Sequence, residues 1–168
     1  RMFVFARFDQ PWTASSALET GRPTGYVKFK PDANGEVRMR IATSLISLEQ
    51  ARRNLDMEVG DAGFEAGRER AQAAWDAELG RVKVQGASED QLVTVYSNLY
   101  RLFLYPNMAH ENVGTAERPD WRHADQSGWS KDNAGGDAAS TSARIIPGKN
   151  YVNNGFWDTF RTTWPAYA

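Results

Sequence analysis

Residues 25–55 read GYVKFKPDANGEVRMRIATSLISLEQARRNL, and the change of period inside this stretch decides the fold class. From Gly25 the side chains alternate. Val27 and Phe29 fall on one side of an extended chain, with Tyr26, Lys28 and Lys30 on the other. Beyond the turn residues PDANG, Val37, Met39 and Ile41 alternate in the same way with Arg38 and Arg40. A period of two marks a strand with one buried face, so a β-hairpin turning at PDANG is expected. Asn34-Gly35 supplies residues that accept positive φ there. After Ile41 the period moves towards that of a helix. Strands followed by helices place the chain in the α+β class, or at the junction of a β domain with an α domain.

Working outward, the N-terminal run RMFVFARFD, residues 1–9, is apolar almost throughout and suits a strand covered on both faces. On the other side, Phe64, Ala71, Trp75 and Leu79 recur at helical spacing between Asp61, the expected N-cap, and Gly80, the expected stop. A second helix is marked by Ser88 and Gln91 at capping-box spacing, by the stripe Leu92, Val95, Leu99 and Phe103, and by Pro106 at its close. From His110 to Lys149, including the tract KDNAGGDAASTSAR, no period could bury a core, and a long loop is expected. Order returns at Tyr151. The last residues, NNGFWDTFRTTWPAYA, read as a tight glycine approach followed by the start of an aromatic, buried helix. The chain opens at Arg1 inside an apolar run and stops at Ala168 behind this aromatic one, so both ends are expected to be cuts through secondary structure.

With 168 residues the chain is long enough for a hydrophobic core, and its net charge of -1 creates no field that would gather nucleic acid or an anionic membrane surface. It has no cysteine, which removes thiolate metal sites, disulfides and thiol nucleophiles together. No stretch approaches the roughly 18 apolar residues of a membrane span. Six Trp, six Tyr and eight Phe are a generous aromatic supply, useful both as core filler and as platforms for sugars. The composition assigns no oligomeric state.

The chemistry concentrates in Gly155-Phe156-Trp157-Asp158-Thr159-Phe160-Arg161, where a glycine turn delivers a Trp and a carboxylate side by side. A Trp face can pack on the C–H patch of a pyranose, and the adjacent carboxylate can accept hydrogen bonds from vicinal hydroxyls. Residue type alone equally allows Asp158 as a helix cap and Trp157 as core filler, which are the commoner roles. His110, Glu111 and His123 lack the spacing of a zinc or iron motif, so they read as solvated loop residues. Nucleophile elbow, phosphate loop and dinucleotide fingerprint are all absent from the sequence.

Three stretches taken together resemble glycoside hydrolase family 92: IATSLISLEQARRNL at 41–55, VYSNLYRLFLYPN at 95–107 and GFWDTFRTTWP at 155–165. They stand in the family's order and at about its spacing. The resemblance implies an exo-acting, inverting α-mannosidase that needs Ca2+ and takes terminal mannose, for example α-1,2-linked, from a mannose-containing glycan. It further implies an N-terminal β-sandwich ending within residues 1–60, connecting helices over 61–109, and a long loop leading into an (α/α)6 barrel over 110–168. By the same resemblance Trp157 and Asp158 belong to the pocket for the terminal mannose. The catalytic acid, the catalytic base and the calcium ligands are expected outside this chain, and the chain alone is expected to be inactive. A secreted or periplasmic enzyme is implied. Trp164 departs from the family, many members of which carry His before that Pro. Two other readings compete: a non-catalytic carbohydrate-binding or interaction module, and another (α/α)6 enzyme such as a lyase or phosphorylase.

Overall fold

The structure, a computed structural model, describes residues 2–16, 25–30, 33–125, 137–157 and 159–168. Four strands open it: β1 (Phe3–Phe8), β2 (Trp12–Ser15), β3 (Val27–Phe29) and β4 (Met39–Ser44). Their pairing is nested and antiparallel, β2 with β3 and β1 with β4. They are successive lengths of one two-stranded ribbon. At its bend Asp9 holds Arg38 through both backbone and side chain, Asp9 N–H donating to the Arg38 carbonyl (3.1 Å) and Arg38 N–H to Asp9 Oδ1 (3.0 Å). Among the described residues β3 and β4 therefore do not pair with each other as the expected hairpin about PDANG requires, and Pro31 and Asp32 of that turn lie outside the described residues. Alternation leaves open which strand joins which, and the face it marks as buried is the open one in this chain: Met39 and Ile41 are 54% and 51% exposed, whereas Ser44 on the other face is buried. Gly35 does adopt positive φ, 73°.

The first strand is covered on one face, where two were expected. Phe3 and its register partner Ser44 are buried, whereas Val4, Met39 and Ile41 on the opposite face are roughly half exposed. The buried face lies against α1 (Leu48–Asn54), which continues into a π-helical turn, Leu55–Val59. The helical period expected after Ile41 is realised here, although the sequence reading assigns no helix to these residues. The signal for α1 is the Ser47-Leu48-Glu49-Gln50 spacing of a cap: Ser47 Oγ accepts from Gln50 N–H at 3.0 Å. Ala51 and Leu55 are fully buried and make the small apolar core with Phe3.

Polar groups complete that core. Gln50 Nε2 donates to Asn54 Oδ1 (2.8 Å) and to the Asn112 carbonyl (2.9 Å), and Asn54 Nδ2 donates to the Thr43 carbonyl (3.0 Å) and to Glu111 Oε2 (2.9 Å). Glu111 Oε1 accepts from Leu45 N–H at 2.7 Å. Buried amides are tolerated because each is satisfied. Arg7 and Arg40 face each other in the β1–β4 register, and carboxylates beyond α1 offset their repulsion: Asp56 lies 2.7 Å from Arg7, and Asp61 lies 3.2 Å from Arg40.

That last pair corrects one expected cap. Asp61 turns to Arg40, and α2 (Phe64–Leu79) starts two residues further on, behind Gly63, with no side-chain cap. Gly80 ends α2 as expected, and a Cβ there would come within 2.6 Å of the Asp76 carbonyl oxygen. The capping box of α3 (Glu89–Leu102) forms as expected between Ser88 and Gln91. The two helices meet through Trp75, whose ring lies 4.6 Å from that of Tyr100 and 6.3 Å from that of Phe103.

The region expected to be loop contains sheet. After β5 (Asn107–Met108) come β6 (Glu111–Asn112), β7 (Trp121–Ala124) and β8 (Ile145–Pro147), which form an antiparallel sheet in that order. β9 (Tyr151–Val152) pairs with β5, and α4 (Thr163–Tyr167) follows. Strands of two to four residues are too short to display a period. Residues 126–136, within the glycine-rich tract, lie outside the described residues. Segment 139–141 runs back beside the entry to α1, with Leu48 N–H donating to the Ala139 carbonyl (2.7 Å) and Thr141 N–H to that of Ile46 (2.9 Å).

The chain exposes 13051 Å². A compact monomer of 18.8 kDa would expose about 8,300 Å². Among the described residues much of the apolar surface is open: Ile41 on the ribbon, Phe64 and Val93 on the helix pair and Phe156 in the terminal segment are all more than half exposed. Among the described residues, no helix is long and apolar enough to cross a membrane.

Candidate functional site

The segment carrying Trp157 is stitched to the end of α3. β5 and β9 pair Asn107 with Val152 and Met108 with Tyr151, and Ala109 N–H continues the ladder to the Asn150 carbonyl at 3.0 Å. Asn153 takes a left-handed φ of 64°, a conformation Asn tolerates better than most residues, and its Nδ2 donates to Asn107 Oδ1 at 3.3 Å. Further along, Tyr167 Oη donates to the Tyr105 carbonyl at 2.8 Å. These bonds fix both ends of the segment between Asn153 and Tyr167.

Within it, the Gly155 carbonyl accepts from both Thr159 N–H (3.2 Å) and Thr159 Oγ1 (2.6 Å), closing a tight turn around Phe156 and Trp157. The turn throws both rings outward. Phe156 is 82% and Trp157 84% exposed, while Thr163, six residues beyond Trp157, is buried. The segment expected to be buried is therefore open in this chain, and Trp157 does not act as core filler in it. Trp157 has Phe160 at 6.5 Å, and the Arg161 guanidinium lies over the Phe160 ring at 4.9 Å. The shelf is apolar with a cationic rim. Asp158 lies outside the described residues.

The trio His110, Glu111 and His123 corrects another expectation. His110 is buried, and Glu111 and His123 are partly covered. Each is engaged by neighbours: His110 Nδ1 by the Asn150 backbone, Glu111 by Leu45 and Asn54, and His123 Nδ1 by the Gly148 carbonyl at 3.0 Å. Among the described residues no three His, Cys, Asp or Glu side chains converge as a metal site would require. Calcium prefers several oxygen ligands, and both Glu111 oxygens already accept hydrogen bonds, so the described donors do not fit that ion. Glu58, on the π-helical turn, has its carboxyl pushed above the ordinary range by burial and, less strongly, by the Glu111 charge. Glu117 is pulled below it by hydrogen bonds to its own backbone and to Thr115.

Residues that the sequence reading passed over are Gln50, Asn54 and Asn150. The available signal was Gln50 and Asn54 at i, i+4, flanking the apolar Ala51 and Leu55 on one helix face.

The family model described as the glycosyl hydrolase family 92 catalytic domain matches residues 50–168. That span takes in α1 from Gln50 onward, the helix pair, the small sheets and the whole aromatic segment, and it sets the chain among the glycoside hydrolases. Within that class the chain belongs to glycosyl hydrolase family 92. Among solved structures it is similar to a family GH92 inverting mannosidase from Bacteroides thetaiotaomicron VPI-5482, at 28% identity and a TM-score of 0.76, over 99% of this chain and 22% of that one. A GH92-family glycosyl hydrolase, ccman5, shares the fold at 22% identity and a TM-score of 0.64, over 93% of this chain and 20% of that one. The chain thus spans about a fifth of the length of the structures it matches. A search of curated proteins returns no match.

Proposed function

We propose that the chain is one part of an exo-acting α-mannosidase that removes terminal α-linked mannose, for example α-1,2-linked, from glycans with inversion at the anomeric carbon. The observation that carries this reading is the catalytic-domain match over residues 50–168, which contains GFWDTFR. The similarity to an inverting mannosidase supports the substrate class. In this reading Trp157 offers its face to the sugar, as its 84% exposure allows, and Asp158 accepts hydrogen bonds from the mannose hydroxyls.

An inverting glycosidase needs an acid and a base about 6.5–9.5 Å apart, with room for water between them. We assign both, and the calcium ligands, to polypeptide outside these residues, together with the rest of the β-sandwich and the (α/α)6 barrel. The open apolar surface of the chain supports a larger assembly of this kind. Secretion or a periplasmic location is part of the same proposal.

The test is hydrolysis of an aryl α-mannoside by the full-length protein, with the product anomer followed by NMR and a calcium chelator added in a parallel run. Release of β-mannose that stops on chelation and returns with calcium is expected, whereas the 168-residue chain by itself is expected to give no turnover. Cleavage of other glycosides with α-mannosides untouched would refute the substrate class.

A further inference from the structure

His110 and Glu111 are adjacent, and side chains of neighbouring residues in extended chain leave on opposite faces. Each is committed to a different part of the molecule. Glu111 takes hydrogen bonds from Leu45 N–H (2.7 Å) and Asn54 Nδ2 (2.9 Å), which belong to the ribbon and α1. His110, only 8% exposed, reaches the segment that leads to Trp157. Its Nδ1 lies 2.9 Å from the carbonyl oxygen and 3.2 Å from the amide nitrogen of Asn150. Either tautomer therefore bonds to the backbone of the same residue: a protonated Nδ1 donates to the Asn150 carbonyl, and an unprotonated one accepts from the Asn150 N–H. The imidazole also stands edge-to-face with Trp121 and Tyr151, at centroid separations of 5.2 and 5.1 Å. From Asn150 the chain enters the β5–β9 pair and then the turn that throws out Phe156 and Trp157.

We infer that His110 is a positioning residue: anchored through Glu111 to α1, it sets the register of the strand pair that presents Trp157 to the sugar, and it does so through its bond to the Asn150 backbone. This inference rests on the sugar-pocket reading of Trp157. A packing role and a positioning role predict opposite orders for two substitutions. His110→Phe keeps a ring against Trp121 and Tyr151 but cannot bond to Asn150. His110→Asn loses the ring but places an amide where Nδ1 stood, able to donate or accept.

In the full-length protein, kcat/KM on an aryl α-mannoside is expected to fall about tenfold or more in His110→Phe and to stay within about threefold of wild type in His110→Asn. Hydrogen exchange of residues 150–157, followed by mass spectrometry, should be accelerated in His110→Phe and near normal in His110→Asn, with α2 and α3 unchanged in both. If His110→Phe does not fold, His110→Gln replaces it, since its amide reaches the position of the other ring nitrogen. An equal or reversed order of the two variants, unaltered exchange at 150–157 in His110→Phe, or acceleration spread over α2 and α3 would each overturn the inference. If the wild-type protein cleaves no mannoside, the substrate reading falls, and the exchange order alone decides whether His110 holds the strand pair.

Discussion

The surroundings of Asn54 and the segment after Gly155 invert the usual distribution of side chains. Around Asn54, amides and a carboxylate are buried and bonded to one another and to backbone. After Gly155, large aromatic rings stand in solvent. The first arrangement is a means of fixing position. Satisfied buried hydrogen bonds have directions, so the knot allows few alternative packings. The second is a means of contact, because an exposed ring is free to meet a ligand or another surface. Between them run His110 and Glu111, one side chain towards each.

The strongest way to break this contrast is at the contact end. In the full-length protein Asp158→Ala is expected to lower kcat/KM about a hundredfold or more, since a hydrogen bond to a charged group contributes about 1.5–3 kcal/mol and more if it tightens in the transition state. Its melting temperature should stay near that of wild type. If Asp158 were only a helix cap, turnover per folded molecule would be normal and stability would drop by about 0.5–2 kcal/mol. Trp157→Phe, which keeps a ring but loses part of the stacking face, should cost activity in the same sense by a smaller factor.

At the fixing end the effect should move from activity to stability. Asn54→Ala leaves Glu111 Oε2, the Thr43 carbonyl and Gln50 Nε2 each short of a partner. A loss of about 2–3 kcal/mol in urea denaturation is expected. A loss below about 0.5 kcal/mol would mean that water replaces the amide and that the knot holds nothing. Ser88→Ala lies outside both regions and serves as a reference. Removing its capping box should cost about 1 kcal/mol and leave activity unchanged.

The smallest effect concerns pH. Glu58 has a raised pKa in the folded chain, so the folded state holds its proton more tightly than the unfolded state, whose ordinary value is 4.5. The resulting stabilisation is present below that value and is lost as pH rises through the folded one. Glu58→Gln should therefore raise the melting temperature slightly at pH 7 and make no difference below about pH 4. Much of Glu58 faces solvent, so the gain should stay below about 1 kcal/mol. A larger gain at low pH than at neutral pH would reverse the assignment.

The sequence was legible where structure is local. The Ser88–Gln91 capping box and the Gly80 stop involve residues within one helical turn, and both stand as expected. It was less legible where partners are distant. The alternation of Val27 to Ile41 does mark strands, but Met39 and Ile41 lie on their open face, and the choice of β1 and β2 as partners depends on contacts that no local pattern records. Asp61 has the composition of a cap and is claimed by an arginine from the ribbon. His110 and Glu111 looked like loop residues because their partners, Asn150 and Asn54, lie far away in the chain. Of the candidate site, Trp157 was nameable from its setting between Gly155 and Thr159, while its outward direction comes from the double acceptance at the Gly155 carbonyl.

The nested ribbon also bears on how the chain can assemble. Phe3 and Ser44 are far apart in sequence, and closing so long a loop in one step would carry a large entropy cost. Because β2 and β3 pair inside β1 and β4, each register can be closed from the one within it, and the long loop is divided into short steps. Phe3 stands at the outermost rung, on the face that α1 covers, where Ala51 and Leu55 are sealed from water. The outermost rung of the ribbon and the apolar core thus share one residue, so that a change at Phe3 acts on the β1–β4 pairing and on the packing of α1 together.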